Sequence, residues 1–500
     1  MSADTSWTEL ETRMRELAEL GRVVTLLDWD TQTTMPPAGS PGRARVTATI
    51  RVLRHRRLVD PRLGELLAEL EGSELDPKRA AMVRVAGRNH RRAAHLPDDL
   101  VRRISVACTL GNSAWREARE ARDFAHFQPH LEEIVRLKRE QADLLGHEGE
   151  RYDALLEAYE PGMRTERLVP LFEGLRSELR TLLDAIARAP ALPSLNGVVY
   201  PETAQIALAH RILADIGFDM NAGRLDQSAH PFSSMVGLRD VRVTTRLYPE
   251  NPFPSVFSTI HEAGHGMYDQ GFDPAFEDLP LSEAPSLGAH ESQSRLWENI
   301  VGRSRPFWER YTPVARELLG SDLGGMDADA VYRYVNRVTP SLIRVDADEA
   351  TYNLHILIRF ELELALLRDE LEVADLPAAW NDAYERHLGV RPPHDGDGVM
   401  QDTHWSDGSF GYFPTYTLGT LYSAMLWKRL AADLPDVDAD IAAGRFAPIL
   451  NWLREHVHRP GHLLECEDLM RQVTGSGLSH GPLMDYLWAK LGPLYGISRP

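Results

Sequence analysis

Cysteine is nearly absent from this chain. Cys108 and Cys466 are the only two in 500 residues, far apart and outside any C-x-x-C pair. They supply neither a disulfide framework nor a thiolate metal site, and they read as free thiols in a reducing compartment. Long apolar runs are missing too. No stretch approaches 18 uncharged apolar residues, so no membrane span is expected. Met1-Ser2-Ala3-Asp4-Thr5 lacks the basic region and apolar run of a secretory leader, and a cytoplasmic location is expected. Positive charge is in deficit: 55 basic residues stand against 74 acidic ones, a formal charge of −19. The short runs Arg54-His55-Arg56-Arg57 and Arg88-Asn89-His90-Arg91-Arg92 fall inside helical patterns and read as solvated faces. Nucleic acid and anionic membranes are therefore not expected partners. Repeats and low-complexity segments are also lacking.

What is present is helix. The apolar fraction of 43% suffices for a sizeable core. Ser6-Trp7-Thr8-Glu9 reads as a capping box opening a helix to about Leu27, with Leu10, Met14, Leu17, Leu20 and Val24 at helical spacing. Asp28-Trp29-Asp30 then reads as a packed corner before Met35-Pro36-Pro37. From Gly42 to about Ala189 the pattern is almost wholly helical, broken at prolines. Asp123 to Pro129 reads as an aromatic turn that packs in the core. Pro190 to Pro201 is the most linker-like segment. The expected organisation is a single unit spanning 1–500, with a helical cover over about 1–195 and a catalytic part over about 196–500. The best strand candidate is the β-branched run Asp240 to Tyr248, whose edge could pair with an extended peptide.

The chemistry centres on His261-Glu262-Ala263-Gly264-His265. Two histidines four apart on a helix leave from one face and can share a metal ion. The glutamate between them can then take a proton from a water activated by the metal. Asn251-Pro252-Phe253-Pro254 precludes an earlier regular helix, Ser255 can cap this one and Gly271 can end it. Val256, Phe257, Ile260 and Met267 can bury its other side.

A third ligand is needed. His290-Glu291-Ser292-Gln293 begins a helix expected from about Ala289 to Val301, and Glu291 lies 26 positions after His265 (291 − 265). Two histidines and one glutamate leave the open position of a catalytic zinc site. Glu298, two turns further along, is the competing ligand. His290 points roughly 100° away from Glu291 and is better placed to touch substrate or orient a neighbour. Asp269 is a candidate acceptor for the second N–H of His265.

These stretches resemble the carboxypeptidase Taq family of zinc metallocarboxypeptidases, of HExxH type. The resemblance extends in order through His230-Pro231-Phe232, Asp240-x-Arg242-x-Thr244, Ile343-Arg344-x-x-Ala347-Asp348 and Gly398-x-x-Gln401-Asp402-x-His404-Trp405. Gly411-Tyr412-Phe413-Pro414-Thr415-Tyr416 also fits, as do the N-terminal Leu27-Asp28-Trp29-Asp30 and the C-terminal Leu494-Tyr495-Gly496. The resemblance implies a mainly α, zincin-like peptidase with a deep groove and a small sheet beside the metal helix. It implies a homodimer with one zinc ion per subunit, cobalt being a possible substitute. It also implies release of single C-terminal residues with broad tolerance from peptides bearing a free C-terminus.

On this reading His261, His265 and Glu291 bind the metal and Glu262 is the general base. Tyr412, Tyr416 and His404 are candidate donors to the oxyanion, each of which could instead be a packed aromatic. Arg344 is the candidate clamp for the substrate carboxylate, since guanidinium pairs bidentately with carboxylates. A structural ion pair with Asp346, Asp348 or Glu349 is its alternative role. His230 and Arg242 are candidate groove residues, with Asp240 a ready ion-pair partner for Arg242. The rivals are a zinc oligopeptidase that cuts internally and a non-catalytic helical protein with structural histidines.

Overall fold

The computed structural model describes residues 3–192, 199–321 and 323–500. These form twenty α-helices and one three-stranded sheet, so the chain is mainly helical with a small β element, as expected. None of the helices is long and apolar enough to cross a membrane. The linker-like stretch Pro190–Pro201 lies largely outside the described residues.

The first helix, Ala3–Thr33, overruns the expected one at both ends. Ser6 sits inside it, and its hydroxyl donates to Glu69 at 2.7 Å instead of capping. No corner forms at Asp28-Trp29-Asp30. Arg51 holds Asp28, Arg43 holds Asp30, and buried Trp29 lies under the guanidiniums of Arg242 and Arg224 at 4.3 and 4.9 Å. These ties make helix the better conformation there, until Pro36-Pro37 stops it. Leu10, Met14 and Leu17 are buried with Leu63, Leu67, Leu70 and Met82 in a core of their own, which also takes in Phe276, Leu279 and Leu281. Each fully buried leucine stabilises that packing by roughly 1.5–3 kcal/mol. Helices from Asp98 onward share the large second core with the C-terminal half. The segment Asp123–Pro129 belongs to it: Phe124 and Phe127 are buried as expected, but they open the helix Phe124–Leu145 and do not form a turn. Asp123 caps that helix, accepting from Ala125 N at 3.1 Å.

The sheet comprises β1 (Gly223–Gln227), β2 (Ser233–Gly237) and β3 (Asp240–Thr245). Their order is β1-β3-β2, with β3 parallel to β1 and antiparallel to β2. The expected strand is therefore present, but both of its edges are paired and it cannot take up a peptide. The edge strand antiparallel to it is β2. Val241 and Val243 point from β3 onto the histidine helix, Phe253–Asp269.

Two glycines let that helix sit close on both sides. A Cβ at Gly266 would stand 2.7 Å from Phe218 and 3.2 Å from Val243. A Cβ at Gly264 would stand 2.7 Å from Ser294 Cα, where the glutamate helix Leu287–Arg295 crosses. Behind that helix runs the tyrosine helix Pro414–Asp433, where a Cβ at Gly419 would meet the side chain of Glu291 at 2.5 Å. The histidine, glutamate and tyrosine helices are thus pressed together at glycines, where a side chain would not fit.

Candidate active site

The histidine helix begins two residues earlier than expected. Asn251, not Ser255, supplies the local cap, accepting from Phe253 N at 3.1 Å. Pro254 fits in the first turn because its missing N–H has no helical partner there. Val256, Phe257, Ile260 and Met267 are buried on the inner side, leaving His261 and His265 half-buried at the cleft.

The glutamate helix is capped by Ser286, which accepts from Ala289 N at 3.0 Å. Buried Glu160 also accepts from Gly288 N at the same end. The chain then widens into a π-helical turn, Leu296–Val301, where a continuing α-helix was expected. Such turns recur at functional sites because the extra residue re-aims the side chains after it.

His261, His265 and Glu291 come together as the sequence proposes. Their donor atoms lie within 4.8 Å of one another. Glu291 Oε2 is 3.2 Å from His265 Nε2 and 3.6 Å from His261 Nε2. A tetrahedral ion with bonds of about 2.1 Å needs donors about 3.4 Å apart, so this set fits a divalent cation. Glu298, the competing ligand, turns to the other side of His261 and lies 2.8 Å from Nδ1. That contact holds the proton on Nδ1 and frees Nε2 for the cluster. Arg295 donates to Glu291 at 2.7 Å and Ser294 donates to it at 3.0 Å. Burial pushes the Glu291 carboxyl up, but Arg295 and the two histidines outweigh it and hold the group well below the usual carboxylate range. In the same way His261, Arg295 and Arg303 overcome burial at Glu298 and bring it down to about 2.

Asp269 serves a different histidine from the one expected. It lies 3.0 Å from His290 Nε2, while His265 Nδ1 is buried without a hydrogen-bond partner among the described residues. The His290 ring stacks on that of His265 at 4.3 Å and engages the Asp269 carboxylate itself.

Glu262 is 7% exposed, and no hydrogen bond to its carboxyl occurs among the described residues. Burial raises its pKa to about 7, with Glu291 and Glu298 adding to the effect and His261 and His290 opposing it. A carboxylate held in this way is basic enough to accept a proton near neutral pH.

Tyr412, Tyr416 and His404 form one aromatic group. His404 Nε2 is 3.1 Å from the Tyr416 hydroxyl, and the Tyr412 and Tyr416 rings stand edge-on at 5.3 Å. Burial keeps both phenols protonated, with Glu291 among the charges that they feel. Burial also lowers His404 to about 3, so its ring is neutral.

Arg344 packs against this group, 5.0 Å above the Tyr416 ring. It is buried, and its ion-pair partner is Asp402 rather than Asp346, Asp348 or Glu349. Nε and Nη2 donate to Asp402 at 2.9 and 2.8 Å, and Nη1 donates to Tyr352 at 3.1 Å. Three of its five N–H groups are thus engaged. Arg359 holds the other oxygen of Asp402 at 2.6 Å, so one carboxylate faces two guanidiniums.

His230 and Arg242 lie on and next to the sheet. His230 is exposed on the turn before β2. Arg242 is bound by Asp240 at 2.8 Å and stacks on Trp29. Sequence reasoning missed Arg295, Asp402 and Arg359. Arg295 had a local signal, since it lies four residues after Glu291 on a helix. The other two had none, because their partners come from distant segments.

A sequence profile described as carboxypeptidase Taq (M32) metallopeptidase matches residues 9–491. "Thermostable carboxypeptidase 1" of Thermus thermophilus is 44% identical, with 99% of this chain and all of that one covered. A protein of the same name from Pyrococcus furiosus is 40% identical over 93% of this chain and 94% of its own. Among solved structures, an M32 carboxypeptidase from Deinococcus radiodurans superposes with a TM-score of 0.96 at 41% identity, covering 99% and 100% of the two chains.

Proposed function

The chain belongs to the carboxypeptidase Taq (M32) family and is a metallocarboxypeptidase, and from that premise we propose that it removes single C-terminal residues from peptides with broad tolerance, using Glu262 as general base. The family membership supports a divalent metal, and the donor set supports His261, His265 and Glu291 as its ligands, with zinc the metal best suited to two imidazoles and a carboxylate. Bound there, such an ion supplies Lewis-acid chemistry, polarising a carbonyl and making a nearby water more acidic.

The remaining steps fall to the side chains. Glu298 and Arg295 hold His261 and Glu291 in fixed orientations, so the site is organised before substrate arrives. Glu262 takes a proton from the attacking water and delivers it to the leaving amine. Burial, which raises its pKa, favours its holding that proton between the two transfers. Tyr412 and Tyr416 donate hydrogen bonds to the oxygen that gains charge, and neutral His404 orients Tyr416. Two N–H groups of Arg344 remain for the terminal carboxylate of the substrate. The pair of guanidiniums on Asp402 leaves that corner one positive charge in excess, which favours a carboxylate. The free edge of β2, antiparallel to β3, is suited to hold the peptide backbone.

The observation that carries the reading is the convergence of the three donor atoms beside Glu262, whose carboxyl accepts no hydrogen bond among the described residues. One peptide with a free and with an amidated C-terminus tests it, products being followed by mass. Loss of one terminal residue from the free acid, and no cleavage of the amide, is expected. Equal internal cleavage of both would make the protein an oligopeptidase.

A further inference from the structure

A cavity of about 900 Å³ opens between the N-terminal helix, the helix Pro77–Ala94 and the proline-containing loop that leads into the glutamate helix. It borders the tyrosine group and the start of the glutamate helix. Tyr159 lines it, and the Tyr159 ring stands edge-on to Tyr412 at 5.2 Å. Ser286 and Leu287, at the start of the glutamate helix, line it as well, and so does Met235 of β2. Met235 and Gly237 both line it, so a peptide paired with β2 would lie along this wall.

The charges on the wall do not balance. Five arginines line it, Arg22, Arg51, Arg54, Arg88 and Arg92, against the three carboxylates of Glu157, Asp278 and Glu283. Arg22 is matched by Asp278 at 2.7 Å, Arg88 by Glu465 at 3.0 Å and Arg51 by Asp28 at 2.8 Å. Glu157 is taken by Arg164 at 2.7 Å. Arg54 and Arg92 are left, with Glu283 the only carboxylate of the wall not already paired among the described residues; Arg54 and Arg88 are among the cations that it faces. Arg54 donates to the carbonyl of Leu17 at a long 3.4 Å, and Arg92 to that of Ala154 at 3.0 Å. Neither forms an ion pair with a carboxylate among the described residues. Burial makes the charge on Arg92 costly; Glu157 relieves this in part, while Arg88 and Arg164 beside it add to the cost. Arg92 is half-buried and Arg54 exposed, and a guanidinium that no carboxylate holds by an ion pair is a ready site for an anion. Its presence in a chain of net charge −19 is against the average.

We propose that this cavity receives the part of the peptide upstream of the scissile bond, and that Arg54 and Arg92 select acidic side chains in that part. The inference rests on the carboxypeptidase reading above and adds a preference to it. The substrate class is then peptides with Asp or Glu some residues before the terminus, whatever the terminal residue is.

The test uses alanine-based peptides of one length, with a free C-terminus and a single Glu moved stepwise upstream. kcat/KM is measured for the wild type, Arg54→Gln, Arg92→Gln and Arg92→Lys. At one or more positions Glu should raise the wild-type value about tenfold over the all-alanine peptide, the scale of a charge-assisted hydrogen bond. The two Gln variants should lose that gain and still cleave the all-alanine peptide within about twofold of wild type, while Lys should keep part of it. Higher ionic strength should erode the gain. The proposal is overturned if Glu is favoured at no position, or if the variants slow both kinds of peptide equally. A wild-type enzyme that leaves the all-alanine peptide uncut would instead overturn the carboxypeptidase reading beneath it.

Discussion

The metal cluster and the Asp402 cluster are both buried, both charged, and joined through Tyr352. Arg295 stacks on the Tyr352 ring at 4.1 Å, and Arg344 donates to its hydroxyl. Their hydrogen bonding differs in kind. Around Asp402 each carboxylate oxygen meets a guanidinium, and Gln401 accepts from Arg344 N at 2.9 Å and from Arg359 at 2.8 Å. Around Glu291 one oxygen takes Arg295, while the other takes Ser294 and faces Nε2 of both His261 and His265. Glu262 beside them has no partner at all among the described residues. The Asp402 carboxylate is fully paired within its own cluster, where only Arg344 keeps N–H groups to spare, whereas around Glu291 three donors converge on one point. Buried charge alone therefore does not mark a functional site; unsatisfied, converging charge does.

Substitutions in the two clusters should accordingly fail in different ways. The largest effect is expected at Glu262. Glu262→Gln should lower kcat by about 10²–10⁴-fold, the usual contribution of a general base, with metal content unchanged by elemental analysis. Retained turnover would remove Glu262 from the mechanism. Asp402→Asn should instead cost stability, about 3–5 kcal/mol at neutral pH in denaturant titrations, because it breaks a buried ion pair. Burial would raise the Asp402 carboxyl, but Arg344 and Arg359 hold it far below the ordinary value. Its contribution is thus complete above the unfolded pKa of about 3.9 and is lost as the pH falls through that value toward the folded one. The gap between wild type and variant should narrow below about pH 4, and a gap that stays constant would contradict the assignment.

Smaller still is the effect expected at Glu298, which on the proposed reading orients His261 and does not itself bind the metal. Glu298→Gln should weaken metal affinity about 10–100-fold in competition with a chelator. No change would show that His261 needs no such support. Asp99→Asn, in the exposed pair with Arg102, should leave the denaturation midpoint where it is.

The histidine helix and Glu291 were legible because their signal is local: a four-residue spacing, an apolar face and a proline-rich start. What escaped depends on packing. Glu298 lies near the same face as Glu291 on a regular helix, but the π-helical turn carries it round to His261 Nδ1. Asp269 has the right spacing for His265, yet the stacked His290 ring takes its carboxylate. Arg344 has three acidic neighbours in sequence and pairs with none of them, because Asp402 is brought in from 58 residues away. The run Asp240–Thr245 reads as a strand, but nothing in it says that Gly223–Gln227 will close its second edge. That segment, Gly-Arg-Leu-Asp-Gln, has little strand propensity of its own and is a strand only through its neighbour.

The central claim, that His261, His265 and Glu291 form the metal centre, is tested most directly by metal stoichiometry. Purified wild type and Glu262→Gln should each hold about one equivalent of divalent metal per chain, and Glu291→Gln, equally folded by circular dichroism, should hold almost none. A folded Glu291→Gln protein that keeps its full equivalent would contradict the account.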